Sequence, residues 1–361
     1  MEAYATLDTR ALAHNLNVAR AKAPGCRLTA VVKADGYGHG LETAARALRA
    51  ADGFAVARLR EALRLREAGL AHPILLLEGV FGAEELAAAA KHHLDVVVHT
   101  PAQIELIESF PRSGRLNVWL KVDTGMGRLG IAADDWHGCA QRLSRCANVA
   151  KPIRAMTHFA CADDSANALT ATQIARFHSL VAGTPHDISL ANSAAVLQWP
   201  AAVQLPARGN NWIRPGLMLY GVSPALQISA SAFGLKPAMR LASRIIAVKD
   251  LKPGGTVGYG ASWRADRDTT IAVVAAGYGD GYPWTGTGLP ALVNGQRVTV
   301  VGRVSMDMLS VDVSDIERPE IGDEVVLFGD GLPVEEVAAA AGTIPYALLC
   351  SVTQRVRREV I

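Results

Sequence analysis

The chain has 361 residues, 50% hydrophobic and 19% charged, with a formal net charge of +2. This composition excludes a disordered chain and a polyanion-binding surface, so nucleic acid is not an expected partner, and it leaves room for about two domains with real cores. No run approaches a membrane span, the opening residues lack a charged segment followed by an apolar one, and a cytoplasmic location with no membrane association is expected.

The five cysteines, Cys26, Cys139, Cys146, Cys161 and Cys350, are scattered without CxxC spacing. That argues against a disulfide framework or a metal site and predicts reduced, mostly buried thiols. In chain order, Tyr4–Leu7 reads as a strand that stands before the main repeat and is a candidate to pair with the second half of the chain. From residue 28 to about 216 one phrase recurs: a short apolar run, a polar or glycine-containing turn, then an Ala/Leu/Arg-rich helical stretch. Eight runs are predicted as strands: Leu28–Val32, Phe54–Ala57, Ile74–Leu77, Asp95–Val98, Val118–Val122, Ile153–Thr157, Asp187–Leu190 and Trp212–Arg214. Helices are predicted over Leu41–Ala51, Leu59–Ala68, Ala83–Lys91, Ala102–Phe110, Asp134–Cys146, Thr172–Val181 and Ala194–Gln198. Eight parallel alternations describe an α/β chain, a (β/α)8 TIM-type barrel. An open doubly wound sheet is the competing fold, but no GxGxxG fingerprint supports it.

After Lys236 the helices give way to alternating strands at Arg244–Val248, Thr270–Ala275, Ala291–Asn294, Val298–Val301, Leu309–Val313 and Glu324–Phe328, separated by turn signals such as Asn294-Gly295. The expected division is residues 8–235 for the barrel and 236–361, with 1–7, for a mostly antiparallel C-terminal β domain containing one helix, Val334–Ala341. Arg355-Val356-Arg357-Arg358 reads as a solvated end.

Barrels work at the C-terminal ends of their strands. Those ends carry Lys33, then Lys121, Asp123 and Arg128, then His158, then Asn192 and Ser193, and finally Arg214. Lys33 stands between the apolar run Ala30-Val31-Val32 and the punctuation Asp35-Gly36-Tyr37-Gly38-His39-Gly40, where an amine pushed toward neutrality can form a Schiff base. It can equally be a lysine that escapes to solvent at a strand end. Ser193 and the turn Pro215-Gly216-Leu217 follow the last two strands, where barrels bind phosphate. A phosphate site and a nucleophilic lysine together suggest pyridoxal 5'-phosphate.

Several segments resemble the alanine racemase family. They are Ala30–Gly40, Lys121–Gly130, Thr157–Ala160, Ala191–Ala195, Arg214–Gly216, Gly258–Gly260, Gly277–Pro283 and Gly302–Asp307, collinear over essentially the whole chain. The resemblance implies a pyridoxal phosphate-dependent enzyme interconverting L-alanine and D-alanine, with Lys33 bonded to the cofactor. It places Tyr37, Ser193, Gly216, Leu217 and Tyr346 at the phosphate, Arg214 at the pyridine nitrogen, and His158 and Asn192 beside the cofactor. An arginine donates only, so the ring nitrogen would stay unprotonated and the ring a poorer electron sink. Two bases are implied, Lys33 for D-alanine and Tyr259, from the β domain of a second subunit, for L-alanine, which requires a homodimer. His158 would link Tyr259 to Arg214. Arg128 and Met306 would bind the substrate carboxylate, and Lys121 is a candidate for carbamylation. Asp163, Tyr278 and Arg303, with Tyr259 and Tyr346, match positions that narrow the entrance. Trp284 departs from the family, which usually carries a basic residue there. The resemblance further implies a role in cell-wall D-alanine supply or in alanine catabolism. A broad-specificity or serine racemase, a decarboxylase of basic amino acids and a non-catalytic pyridoxal phosphate-binding protein are the alternatives.

Overall fold

A computed structural model describes the chain except for residues 112–113, 183–186, 205–208, 226, 286 and 318. By its internal contacts the chain divides into two units, residues 12–36 with 40–235, and residues 1–11, 37–39 and 236–361.

An opening strand, β1 (Tyr4–Leu7), is followed by a helix over Thr9–Lys22. The sequence reading did not predict this helix because His14, Asn15 and Asn17 interrupt its apolar texture. Leu12, Leu16 and Ala19 nevertheless recur at helical spacing and are buried, and the buried Asn15 donates its amide to the Leu219 carbonyl at 3.0 Å. Eight parallel strands then close into a barrel: β2 (Arg27–Val31), β3 (Gly53–Val56), β4 (Ile74–Leu76), β5 (Asp95–Val98), β6 (Val118–Lys121), β7 (Arg154–Met156), β8 (Ile188–Ser189) and β9 (Asn211–Ile213). Leu28 beside Ile213 on β9 completes the ring. Runs such as Phe54-Ala55-Val56 and Ile74-Leu75-Leu76 are buried throughout, because a barrel strand has side chains in the interior and helices against its other face. Helices follow at Leu41–Ala47, Leu59–Glu67, Ala83–Lys91, Pro101–Ser109, Trp136–Arg145, Leu169–Val181 and Ser193–Gln198. The first stops four residues short of the expected Ala51: Leu48 leaves helical geometry, and the Asp52 side chain accepts from Leu28 N–H as the chain turns into β3.

The other unit is an eight-stranded sheet. Its strands are β1, β10 (Met239–Leu251), β13 (Thr269–Val274), β14 (Pro290–Val293), β15 (Gln296–Val301), β16 (Leu309–Asp312), β17 (Glu324–Phe328) and β18 (Arg357–Val360), while β11 (Thr256–Val257) and β12 (Trp263–Arg264) form a separate hairpin. β10 is the spine, antiparallel to β1, β13 and β17. β18 runs parallel to β1, with Tyr4 opposite Arg357. Among the described residues the unit also holds two helices, Val334–Ala340 as expected and a second, Pro345–Ser351, that the sequence did not lead one to expect.

Two expectations are corrected. The basic tail is exposed at Arg355 and Arg357 as expected but is not a free end: Arg357 and Arg358 lie in β18, the Arg358 guanidinium donates to the Val352 and Thr353 carbonyls, and Arg355 pairs with Asp280 and Asp307. A run of arginines reads as solvated only when nothing nearby can accept; here turn carbonyls and two carboxylates do. The cysteines are all free, but only Cys139 is fully buried and Cys350 is exposed.

At the N-terminal end of the barrel strands, side chains form a polar knot. The Asp95 carboxylate accepts from the Asn117 amide at 2.9 Å, from the Trp119 indole at 3.2 Å and from Arg154. Trp119 meets Trp212 edge to face at 5.9 Å between centroids, with the Arg154 guanidinium over Trp119 and that of Arg27 over Trp212. Asp95 is buried, so its removal leaves three donors without their acceptor. Asp95→Ala is expected to cost the barrel about 3 kcal/mol, read as a lowered urea midpoint in tryptophan fluorescence; a midpoint within error of the parent would show the knot to be dispensable.

Candidate active site

Lys33 stands two residues beyond the end of β2, half-buried. The chain then does something unusual: Ala34 (φ 54°, ψ 51°), Asp35 (φ 53°, ψ 45°), Gly36 (φ 63°, ψ 42°) and Tyr37 (φ 52°) are all left-handed. Each non-glycine residue in that region costs roughly 1–2 kcal/mol, so local bonds must hold the turn. The Gly36 N–H donates to the Val32 carbonyl at 2.9 Å, Gly40 N–H to the Asp35 carbonyl at 2.8 Å, and Leu41 N–H to Asp35 Oδ1 at 3.1 Å. The sequence marked a glycine-rich turn here; that residues other than glycine are left-handed was not legible.

Lys121, the last residue of β6, is buried. Its ammonium is pushed down to about 8, first by burial and then by repulsion from Arg214, Arg128 and Lys33, against a smaller opposing pull from Asp123. Asp123 spends its carboxylate on the loop that carries Arg128, accepting from Gly125, Met126 and Gly127 N–H at 2.8–2.9 Å. The same loop returns to β6 through Ile131 N–H to the Lys121 carbonyl and Asp123 N–H to the Ile131 carbonyl. A Cβ on Gly130 would lie 2.3 Å from the Asp123 nitrogen, so the return needs glycine.

His158, just past β7, is held well below the usual imidazole range by burial and then by Arg214, Lys121, Arg128 and Lys33. It is therefore neutral at pH 7. Arg214 is buried, its guanidinium lowered to about 10 by burial, and its Nη2 approaches His158 Nδ1 at 3.3 Å. Arginine only donates, so Nδ1 is the acceptor and the imidazole proton resides on Nε2. The terminal nitrogens of Arg214 also donate to Ser189 Oγ and to the Thr157 carbonyl at 2.7 Å.

Behind His158 lies a polar network that the sequence reading missed. Buried Gln173 donates to Thr124 Oγ1 at 3.1 Å and to the His158 carbonyl at 3.0 Å, and accepts from Ala160 N–H; Thr124 and Thr157 share a hydroxyl bond at 2.8 Å. A glutamine in the apolar helix Leu169–Val181 was the available signal.

Over the last two strands, Ser193 Oγ accepts from Gly216 N–H at 2.8 Å and Met218 N–H at 3.3 Å. Leu217 opens the short helical turn that follows. Asn192 caps the helix Ser193–Gln198, its side chain accepting from Ala195 N–H at 3.0 Å. Asp163 is half-buried in the loop before the helix Leu169–Val181.

The remaining predicted residues lie in the sheet unit. Tyr37 is buried there, 6.0 Å between ring centroids from Tyr346, and burial, with Tyr346 and Cys350 adding to it, raises its hydroxyl far above the ordinary value. Tyr259 is 72% exposed and Met306 53%. Arg303 joins them: the Gly258 and Gly260 that flank Tyr259 both approach it, and its guanidinium lies 5.9 Å from the ring of Trp284. Tyr278 N–H donates to the Ser305 carbonyl and Gly279 N–H to that of Met306. A Cβ on Gly277 would sit 2.3 Å from both of those carbonyl oxygens, so this close crossing also requires glycine. The two groups of residues thus occupy different units, Lys33, Lys121, Arg128, His158 and Arg214 in one, Tyr37, Tyr259, Tyr278, Arg303, Met306 and Tyr346 in the other.

Residues 7–224 match the family described as alanine racemase, N-terminal domain, and residues 238–360 match alanine racemase, C-terminal domain. The chain belongs to the alanine racemase family. It is 50% identical over 353 residues to an alanine racemase of Shewanella loihica, covering 98% of this chain and 97% of the relative, and 49% identical over 357 residues to one of Photobacterium profundum, covering 98% of each. Among solved structures, the biosynthetic alanine racemase of Pseudomonas aeruginosa superposes with a TM-score of 0.95 at 45% identity, over 100% of both chains. The alanine racemase of Bartonella henselae, solved with covalently bound pyridoxal phosphate, superposes with a TM-score of 0.88 at 28% identity, again over 100% of both. The protein is therefore an alanine racemase, an isomerase. Among the described residues no helix is long and apolar enough to cross a membrane, and no group of three or more His, Cys, Asp or Glu side chains is placed to hold a metal.

The depressed Lys121 gives a test of the cluster. Below about pH 8 the lysine is charged in both folded and unfolded chains and the repulsion is fully felt. Between about 8 and its ordinary 10.5 the folded lysine is already neutral while the unfolded one is not, so stability rises with pH through that window. Titration of 13C-methylated lysines by NMR should find one resonance with a midpoint near 8 that is missing from Lys121→Met; a Lys121 midpoint near 10.5 would refute the crowding.

Proposed function

We propose that racemisation of alanine here uses pyridoxal 5'-phosphate held at the Lys33 end of the barrel, with Lys33 and Tyr259 as its two acid–base groups. The observation that carries this reading is the convergence of Lys33, Lys121, Arg128 and Arg214 on one neutral histidine. Such a donor set suits an anionic cofactor and a substrate carboxylate, which together supply the negative charge that Asp123, tied to its own loop, does not. Ser193 with the Gly216 and Leu217 backbone, Tyr37 and Tyr346 would hold the phosphate, with Asn192 beside it, and the Arg214 guanidinium would face the ring nitrogen. When bound, the cofactor supplies the electron sink that makes the substrate α-hydrogen acidic.

The residues of the chain do the rest. Lys33 takes or returns a proton on one face of the α-carbon and acts on D-alanine; Tyr259, contributed by a second copy in a homodimer, does so on the other and acts on L-alanine. His158, with its proton on Nε2, would donate to the Tyr259 oxygen, and Arg214 fixes that tautomer through Nδ1. Arg128 holds the substrate carboxylate with help from Met306. A Lys121 amine that is substantially neutral near pH 8 is able to add carbon dioxide with loss of one proton, and the resulting carbamate would orient Arg128. Tyr259, Tyr278, Tyr346, Asp163 and Arg303 narrow the entrance to a methyl-sized side chain. The enzyme would work in the cytoplasm, supplying D-alanine for cell-wall polymer or feeding alanine catabolism.

Proton NMR of L-alanine with purified protein in deuterated water, with chiral analysis, tests the reading. Loss of the α-proton signal with appearance of D-alanine is expected; exchange without inversion would mean that the second base is absent. Tyr259→Phe should lower racemisation and α-proton exchange from L-alanine by about 10²–10⁴ and leave α-proton exchange from D-alanine less affected, while an equal loss of exchange from both enantiomers would count against the assignment. Full turnover by a species that sediments as a monomer would exclude the shared site.

A further inference from the structure

The left-handed turn after Lys33 raises a question that the chemistry above does not answer, namely what keeps Ala34 and Asp35 in a conformation that residues with a side chain avoid. Glu61 is a buried carboxylate in the helix Leu59–Glu67, outside every role assigned so far. Its Oε2 accepts from Ala57 and Arg58 N–H, both at 3.0 Å, which is the ordinary work of an acidic residue three positions into a helix. Its Oε1 does something a helix cap does not need: it accepts from Ala34 N–H at 2.8 Å, the amide immediately after Lys33. One carboxylate therefore ties the residue following the lysine to the two residues following β3. Asp35 is restrained from the same helix, with Arg64 Nη2 3.3 Å from its Oδ1.

We infer that Glu61 is a positioning residue for Lys33: its second oxygen holds the left-handed turn that fixes where the lysine leaves the backbone, and so where its amine can react. This inference rests on Lys33 being the cofactor lysine. Glutamine at position 61 keeps the size but one accepting oxygen only, and its amide end would meet N–H donors. Satisfying the two helix amides with that oxygen leaves Ala34 unhooked. Glycine at position 34 adopts the left-handed region without strain, so it should lessen the need for the restraint.

The test uses full-length protein stripped of cofactor, mixed with pyridoxal 5'-phosphate and quenched with borohydride at intervals, the reduced adduct being located by peptide mass. Glu61→Gln is expected to melt near the parent temperature while adduct formation at Lys33 slows about tenfold. In the reloaded enzyme kcat should fall in both directions with little change in KM. Adding Ala34→Gly to Glu61→Gln should restore most of the trapping rate. Trapping at the parent rate in Glu61→Gln, or a loss that Ala34→Gly does not repair, would reduce Glu61 to a helix cap and overturn the inference. Should Glu61→Gln fail to fold, Glu61→Asp, whose shorter arm cannot span both anchors, is read by the same rescue. Parent protein that acquires its adduct anywhere but Lys33 would sink the cofactor-lysine reading, and this inference with it.

Discussion

Lys121 and Arg214 are buried at the C-terminal end of a parallel barrel, and Lys121 is crowded there by Arg214, Arg128 and Lys33 with little water to screen them. Much else follows from that burial and crowding. Lys121 loses part of its charge, His158 remains neutral, and the direction of one hydrogen bond is decided, because an imidazole next to an arginine can only accept. The site is preorganised for negative charge in the sense that its cations already sit where an anion would relieve them. Assembling like charges costs stability, so the scaffold has to be stiff. The barrel supplies that stiffness through strands buried on both faces and, at its opposite end, through the Asp95, Trp119, Arg154 and Trp212 knot.

The same division of labour holds in the sheet unit. Tyr259, Tyr278 and Met306 are exposed, yet their loops are held from behind: Arg355 pairs with Asp280 and Asp307, and Asp280 accepts from Gly277 N–H at 2.8 Å. Exposed groups are thus presented on backbone that has few alternatives.

Much of the fold was legible because a barrel writes itself as repetition. Eight apolar runs, each followed by a helical stretch, have one economical closure, and the residues at their ends could be enumerated before any coordinate was known. Lys33, Lys121, His158 and Arg214 were visible in that way, as polar side chains in places where a purely structural barrel has little use for them. What was not legible depended on partners distant in sequence. The helix Thr9–Lys22 hid because Asn15 is inward and satisfied by a carbonyl 204 residues away. The strand Arg357–Val360 read as a solvated tail because its partner is the start of the chain. The left-handed turn at Ala34–Tyr37 violates local preference, and the restraint that permits it, Glu61, looks in the sequence like any acidic residue in the first turn of a helix.

The pairing of β1 with β10 and β18 sets the order in which this protein can be completed as it is made. Tyr4–Leu7 is made before the barrel, but its antiparallel partner is not made until residues 239–242 and its parallel partner until residues 357–360. Throughout that interval the nascent chain carries an unpaired strand with apolar residues on one face, alongside a barrel whose eight strands all lie between residues 27 and 213. All eight barrel strands are therefore made before the sheet that carries Tyr259 can receive β18, so that synthesis itself separates the completion of the two units.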